Sequence, residues 1–356
     1  YVTGSQCNLI VTVGFLLGDA TKAAGTAHPE QKFQILDNAY DVTTTAQLTN
    51  VWAQVYSTEQ GGYLAGYVAA AMTKTGKVGT FGGINIPPVS DFMVGFQEGI
   101  EYYNTKHNAK VQLLGWDKAK KDGLFTGDFN DQDKGKQFGQ NLLDEGADII
   151  MPVAGPVGLG AAAAVKAAGN AMLVGVDQDW FVSAPEYQDI VLTSVQKRLD
   201  LSVQNAAKAI ADGSFKGGIH VGTLSTGEIG IAPFHNFDSQ VPQGIKDELT
   251  QIKADIVSGA IKVDNFSSLG STAPAATPAA SSFTGNICEV TDTGGVDDKS
   301  FNALGWIGAQ QAATDLGTTA SYLESKQQTD YDKNINEYVT GSKCGLIVTV
   351  GFLLGD

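Results

Sequence analysis

The sequence predicts an α/β protein of two lobes, each a parallel sheet flanked by helices. Strand-like apolar runs alternate with helical patterns along the chain, the signature of parallel strands joined by crossover helices. The runs are too many for one sheet of ordinary width, about 4–6 strands. The repeating unit, about 320 residues long, also exceeds what one hydrophobic core supports.

That unit does not start at residue 1. Residues 1–19, YVTGSQCNLIVTVGFLLGD, return as residues 338–356, YVTGSKCGLIVTVGFLLGD, differing only where Gln6 becomes Lys343 and Asn8 becomes Gly345. One full period plus a short overlap is expected of a window on a tandem repeat or of a permuted domain. Residues 266–285 are, from Ser267 onward, almost entirely Ala, Ser, Thr, Pro and Gly. Such a stretch cannot bury enough apolar surface to offset its ordering entropy and reads as a linker. The domain begins after it, runs through 286–356, and continues from 20 to about 265.

In that order the first half reads as βαβαβ: a strand at 286–292, a helix at 300–316, a strand at 321–325, a helix at 331–340 and a strand at 345–352. The expected elements then continue with a helix at 20–27, a strand at 32–37, a helix at 62–74 and a strand at 77–83. A helix at 91–107, a strand at 110–116, a helix at 131–145 and a strand at 147–155 come next. The last are a helix at 158–168, strands at 172–177 and 189–195, a helix at 198–212, a short β region at 218–231 and a helix at 242–258. Lobe one is expected to combine 286–356 with 20–75 and 198–265, and lobe two to span 76–195. Ligands in such folds sit at the carboxyl ends of strands, where helix N-termini point.

A net charge of −15 repels phosphate backbones and argues against nucleic acid as a partner. No run of eighteen apolar residues is present, so no membrane-spanning helix is expected. Of the three cysteines, one belongs to the duplicated segment. Cys288 and either Cys344 or Cys7 precede strand-like runs, CEVTD and CGLIVTVG, that would be neighbours in a doubly wound sheet. A disulfide and a pair of buried thiols are both open readings. His28, His107, His220 and His235 are scattered without metal-ligand spacing, and no Gly-x-Ser-x-Gly elbow or Cys–His pair is present. No metal, cofactor or catalytic residue is expected, and binding without chemistry is the default.

The sharpest local string is DTGGVDDKSFN, Asp292 to Asn302, directly after the first strand. Gly294 and Gly295 permit a tight turn, Asp297 or Asp298 can cap the next helix, and Phe301 is expected exposed at the helix start. An exposed aromatic beside Asn and Asp suits a flat ligand with polar edges.

This string resembles, together with GFLLGDA, EQKFQILD, GYLAGYVAA, KVGTFGG, GDFNDQDKGK, ADIIMPVAG, LVGVDQDW and LTSVQKRLD, the basic membrane protein (BMP) family, the purine-nucleoside-binding lipoproteins of ABC-type importers. The likeness covers essentially the whole unit, in permuted order. It implies a two-lobed type I periplasmic-binding-protein fold closing on a purine nucleoside (adenosine, guanosine or inosine) for delivery to an ABC permease, outside the cytoplasm. The resemblance places Phe301 and Phe129 on the faces of the base; Phe129 is also open to reading as a core aromatic. Asp292, Asn302 and the aspartate of GFLLGD, Asp19 or its duplicate Asp356, match positions that bond the base edge. Asp177 and Lys197 match residues that hold the ribose hydroxyls, with Gly155 allowing close backbone approach; a solvated helix-start lysine is the other reading of Lys197. Several carboxylates facing one lysine disfavour a 5′-phosphate, so a neutral nucleoside fits better than a nucleotide. The family carries its lipid on a cysteine just before the mature N-terminus; here Leu269, Gly270 and Ser271 stand at that place, so any anchor belongs to an upstream copy.

Two other readings use the same residues. Asp292, Asp297 and Asp298 are similar to the aspartate cluster of calcium-dependent nucleoside hydrolases, but that motif needs a carboxylate where Val290 stands. Asp128, Asn130, Asp131 and Asp133 lack the spacing of an EF-hand loop and read as a helix cap with solvated charges. A repeat-based assembly or adhesion protein is the third reading. One domain needs one copy of the GLIVTVGF strand, and strand exchange between neighbouring copies would place the surplus.

Overall fold

The computed structural model describes residues 9–13, 18–27, 29, 31–266, 286–291, 294–327, 330, 334 and 344–350. The chain divides into two compact units: unit 1 holds Tyr1–Val55, Arg198–Gly222 and Gly270–Asp356, and unit 2 holds Tyr56–Lys197 and Thr223–Leu269.

In chain order the strands are β1 (Leu9–Val13), β2 (Phe33–Leu36), β3 (Val51–Tyr56), β4 (Lys77–Gly82), β5 (Gln112–Leu114), β6 (Trp116–Asp117), β7 (Asp122–Gly123), β8 (Ile149–Val153), β9 (Met172–Asp177), β10 (Val191–Lys197), β11 (Gly218–Gly222), β12 (Ile229–Ile231), β13 (Asn286–Val290), β14 (Ala320–Leu323) and β15 (Cys344–Val350). The helices are α1 (Gly18–Ala27), α2 (Val42–Gln47), α3 (Thr58–Met72), α4 (Pro87–His107), α5 (Gln132–Asp144), α6 (Val157–Ala168), α7 (Trp180–Ser183), α8 (Leu199–Ala211), α9 (Gln243–Ser258) and α10 (Phe301–Leu316).

Unit 1 is built on a seven-stranded sheet in the order β11-β3-β2-β1-β15-β13-β14. Leu9 and Val11 of β1, Phe33, Ile35 and Leu36 of β2, and Ile287, Cys288 and Val290 of β13 are buried, as apolar residues of parallel strands covered by helices must be. The two copies of LIVTV lie side by side: β1 pairs with β15 in parallel, from Leu9 against Leu346 to Val13 against Val350. Both copies are therefore in the sheet, where one was expected to suffice. Helices α8 and α10 pack closely, and a Cβ on Gly308 would lie 2.9 Å from the Asp200 Cα. Cys288 on β13 is disulfide-bonded. The side chains of Cys7 and Cys344 lie outside the described residues.

Unit 2 carries a six-stranded sheet in the order β12-β10-β9-β8-β4-β5. The β10–β9 and β8–β4 pairs are parallel, while the short edge strand β12 runs antiparallel to β10. Phe81, Leu142, Ile150, Val157, Leu173, Trp180 and Val191 form a buried core on one side. On α3 and α4, facing glycines let two backbones touch. A Cβ on Gly66 would stand 2.0 Å from the Phe96 carbonyl oxygen, one on Gly95 1.9 Å from that of Glu59, and one on Gly99 2.0 Å from that of Tyr63.

This contact moves the expected boundary. Residues 56–75 and 223–265, assigned to lobe one from sequence, belong to unit 2. Helix α3 is held there by its glycine face on α4. The Tyr67 hydroxyl donates to Glu248 of α9 at 2.6 Å, and Leu224 N–H donates to Gln60 at 2.9 Å. Helices α3 and α4 also begin earlier than expected, α4 at a Pro-Pro start that suits a first turn. Helix α2 and strand β3 were not anticipated. The helix expected at 331–340 and the linker from Ser267 onward lie outside the described residues, apart from residue 334.

Candidate functional site

The carboxyl edge of unit 2's sheet collects four of the expected residues: Gly155 just past β8, Asp177 and Lys197 at the ends of β9 and β10, and Phe129 packed against Gly83 just past β4. Next to β4, Gly83 N–H donates to the Val153 carbonyl at 2.9 Å, and the 124–127 segment is stitched to β4 by Gly82 N–H to Leu124 and Thr126 N–H to Gly82. That segment turns at Gly127, where φ is 86°. It sets Phe129 against Gly83 so closely that a Cβ there would stand 2.3 Å from the ring. Phe129 is 5 % exposed. Asp128 accepts from the backbone of Asn130 at 2.9 Å and Asp131 at 2.8 Å, and pairs with Lys134 at 2.9 Å. Partial burial pushes its carboxyl up, but these donors outweigh it and hold the group below the usual range. Asp131 caps α5 through Lys134 N–H at 3.1 Å. The acidic cluster thus includes the expected cap.

Gly155 lies just past β8 in the left-handed region, with φ 50°, in the turn that starts α6. A Gly there avoids the penalty a side chain would bring. Asp177 ends β9 and is also left-handed, with φ 66°, and only 5 % exposed. Few non-glycine residues adopt this conformation, and Asp is among those that tolerate it. Residues 179–181 pin the turn. Asp179 caps α7 through Phe181 N–H and meets His235 Nε2 at 2.8 Å, and His235 stacks on Phe181 with centroids 4.0 Å apart. The Trp180 backbone N–H donates to Ser194 Oγ at 3.0 Å, and its indole N–H to the Val176 carbonyl at 2.9 Å.

Lys197 ends β10, the neighbouring strand, whose Gln196 is registered against Asp177. It is not a solvated helix-start lysine. It is 1 % exposed, with Nζ 5.4 Å from the centroid of Tyr56 and 5.8 Å from that of Phe92. Two ring faces compensate a buried ammonium by attraction to its charge. Sequence reasoning missed Tyr56 and Phe92; the signal for Tyr56 was its place at the end of the VWAQVY run of β3, which Gln54 interrupts.

In unit 1, β13 leads into a loop whose aspartates divide their work. Asp298 accepts from Ser300, Asn302 and Ala303 N–H at 2.9, 3.0 and 3.0 Å and from the Asn302 amide at 3.1 Å, so it is the cap that holds the first turn of α10. Asp297 is exposed and paired with Lys299 at 2.7 Å. Gly295, with φ 73°, turns the loop beside Glu324, which accepts Val296 N–H at 3.2 Å. Phe301, expected to be exposed, is 6 % exposed: it lies on the buried stripe of α10 with Asn302, Leu304 and Gly305. Asn302 is also buried.

Asp19 is exposed in the first turn of α1, near Tyr40, whose hydroxyl donates to the Gly18 carbonyl at 2.7 Å. Burial pushes the Tyr40 phenol up to about 12, and the Asp19 charge adds to the shift. Asp292 and Asp356 lie outside the described residues. Among the described residues, no group of three or more His, Cys, Asp or Glu side chains is arranged to hold a metal ion.

Two α/β units, each with a largely parallel sheet, are an architecture that solute-binding proteins share. The family model for ABC transporter substrate-binding proteins of the PnrA-like kind, Bmp, matches residues 2–264, and the chain belongs to this family. The chain is 30% identical over 269 residues to the ABC transporter nucleoside-binding protein BmpA of Lactococcus lactis subsp. cremoris (strain MG1363), covering 72% of this chain and 70% of that one. It is 32% identical over 236 residues to an uncharacterized lipoprotein of Pyrococcus abyssi (strain GE5 / Orsay), covering 64% of this chain and 54% of that one. Among solved structures it is similar to an ABC transporter solute-binding protein of Aeropyrum pernix K1, at 25% identity and a TM-score of 0.63 over 73% of this chain and 78% of that one. The fold is the type I periplasmic-binding-protein fold, and the protein is an extracytoplasmic solute-binding protein of the ABC-transporter type.

Proposed function

We propose that the protein captures a neutral purine nucleoside, adenosine, guanosine or inosine, without transforming it, and delivers it to an ABC permease. The observation that carries this reading is the carboxyl edge of unit 2's sheet, where Gly155, Asp177 and Lys197 lie at or just past the ends of β8, β9 and β10 and Phe129 packs against Gly83 just past β4. An aspartate in a strained, buried turn, with a buried lysine ending the neighbouring strand, suits two vicinal hydroxyls, because a carboxylate accepts both and an ammonium can donate to them. Phe129 and Phe301 would each stack on the base, at about 1–3 kcal/mol per face. Asn302, with Asp292 and either Asp19 or Asp356, would read the base edge. The relative from Lactococcus lactis, named as nucleoside-binding, supports the ligand class, and the lipoprotein relative supports anchoring at a membrane surface.

Thermal unfolding of the protein with a panel of purine nucleosides, cytidine, the free bases, ribose and nucleoside 5′-monophosphates tests the reading. Stabilisation by purine nucleosides ahead of their monophosphates is expected, because added negative charge would meet the acidic side chains. Equal stabilisation by the monophosphates would contradict it. Release of free base during incubation would favour a hydrolase instead.

A further inference from the structure

Strands β1 and β15 carry the same five residues, LIVTV, and lie next to each other in unit 1, each residue registered against its own duplicate. On its other side β1 pairs with β2, Ile10 meeting Phe33. On its other side β15 pairs with β13, where Ile287 meets Leu346. Three strand edges therefore accept this one sequence: that of β2, that of β13 and that of the duplicate itself. Register is set by the residue pattern, and the pattern is the same in both copies, so β1 can replace β15 against β13 by placing Leu9 where Leu346 stands. The cysteine is duplicated as well. Cys7 and Cys344 hold the same position in the two copies, and Cys288 on β13 is already disulfide-bonded.

We propose that β1 and β15 are interchangeable occupants of one position, and that β15 inserts between β13 and β1 of a second copy of this chain. When β15 of one molecule leaves its place, β1 can close on β13 or the open slot can take the β15 of another copy, because the slot is the same in each. The interface is then the one already inside the sheet, with backbone hydrogen bonds on both edges, and a molecule that gives a strand can also receive one. This inference does not depend on the ligand.

The direct test is to unfold and co-refold unlabelled and ¹⁵N-labelled full-length chains together at high concentration in a glutathione buffer, digest them without reduction, and weigh the disulfide-linked peptides that contain Cys288. Exchange predicts linked pairs of mixed isotope, rising toward about half of all pairs if donation is fully intermolecular. Pairs of single isotope only would overturn the proposal. A second arm uses proline, which cannot donate to the ladder. Val348→Pro is expected to stay folded and monomeric with β1 against β13, whereas Val11→Pro combined with Val348→Pro should unfold unit 1. Loss of folding in Val348→Pro alone, or retention of unit 1 in the double variant, would show that the two strands are not interchangeable.

Discussion

Asp177 and Lys197 end neighbouring parallel strands, and the register sets Asp177 against Gln196, the residue before Lys197. Both side chains are buried, and the aspartate is held in a left-handed turn. The proposed sugar site rests on these two buried strand ends.

Asp177→Ala is therefore expected to weaken nucleosides by about 10–100-fold, the worth of hydrogen bonds to a charged group, and to leave free bases nearly unaffected. Asp177→Gly is the control for backbone strain, because it keeps the turn at φ 66° without penalty. Equilibrium dialysis with guanosine and guanine checks this. Equal losses on both ligands would remove Asp177 from the sugar.

Phe301→Leu keeps an apolar side chain on the buried stripe of α10 but removes the ring. The expected loss is about 1–3 kcal/mol of nucleoside binding, with little change in the melting temperature. A large fall in melting temperature with unchanged affinity would make Phe301 a packing residue.

Two buried carboxyls give unfolding a pH dependence. Glu59, in the first turn of α3, is pushed up to about 8 by burial, with the nearby Asp91 charge adding to it. Glu289, on β13, is fully buried with neither oxygen hydrogen-bonded among the described residues, and burial holds it well above the usual carboxyl range. In both, the folded value exceeds the unfolded value of 4.5, so the stability they contribute is full below 4.5 and is lost as pH rises. For Glu59 the loss is complete above about 8. Glu59→Gln and Glu289→Leu should each gain in stability relative to the wild type as pH rises, read by denaturant unfolding at several pH values. A constant difference across pH would contradict the assignment.

Gly66→Ala would set a methyl group 2.0 Å from the Phe96 carbonyl oxygen and is expected to destabilise unit 2 by about 3 kcal/mol or more. Gly244→Ala, in α9 with open space around it, should be neutral or slightly stabilising. Comparing their denaturation midpoints tests whether the α3–α4 contact fixes the unit boundary.

Strands such as KVGTFGG, IIMPV and MLVGVD were legible because fully buried parallel strands are near-continuous apolar runs, ended here by glycine or aspartate. Strand β3 was not, because Gln54 interrupts its VWAQVY run. The placement of α3 was also hidden: Gly62 and Gly66 have meaning only against Phe92 and Phe96, thirty residues away. Likewise, nothing local in SVQKR marks Lys197 as buried, since Tyr56 and Phe92 come from other elements. Asp298, by contrast, could be read as a cap from its place before α10, and it fills that role.

The most direct measurement is calorimetric titration of the purified protein with guanosine, inosine, adenosine and cytidine. The expected result is one-to-one binding of at least one purine nucleoside with a dissociation constant near the micromolar range, about −8 kcal/mol, and weaker binding of cytidine. No binding heat from any of the four, at temperatures chosen so that enthalpy cannot vanish throughout, would contradict the assignment.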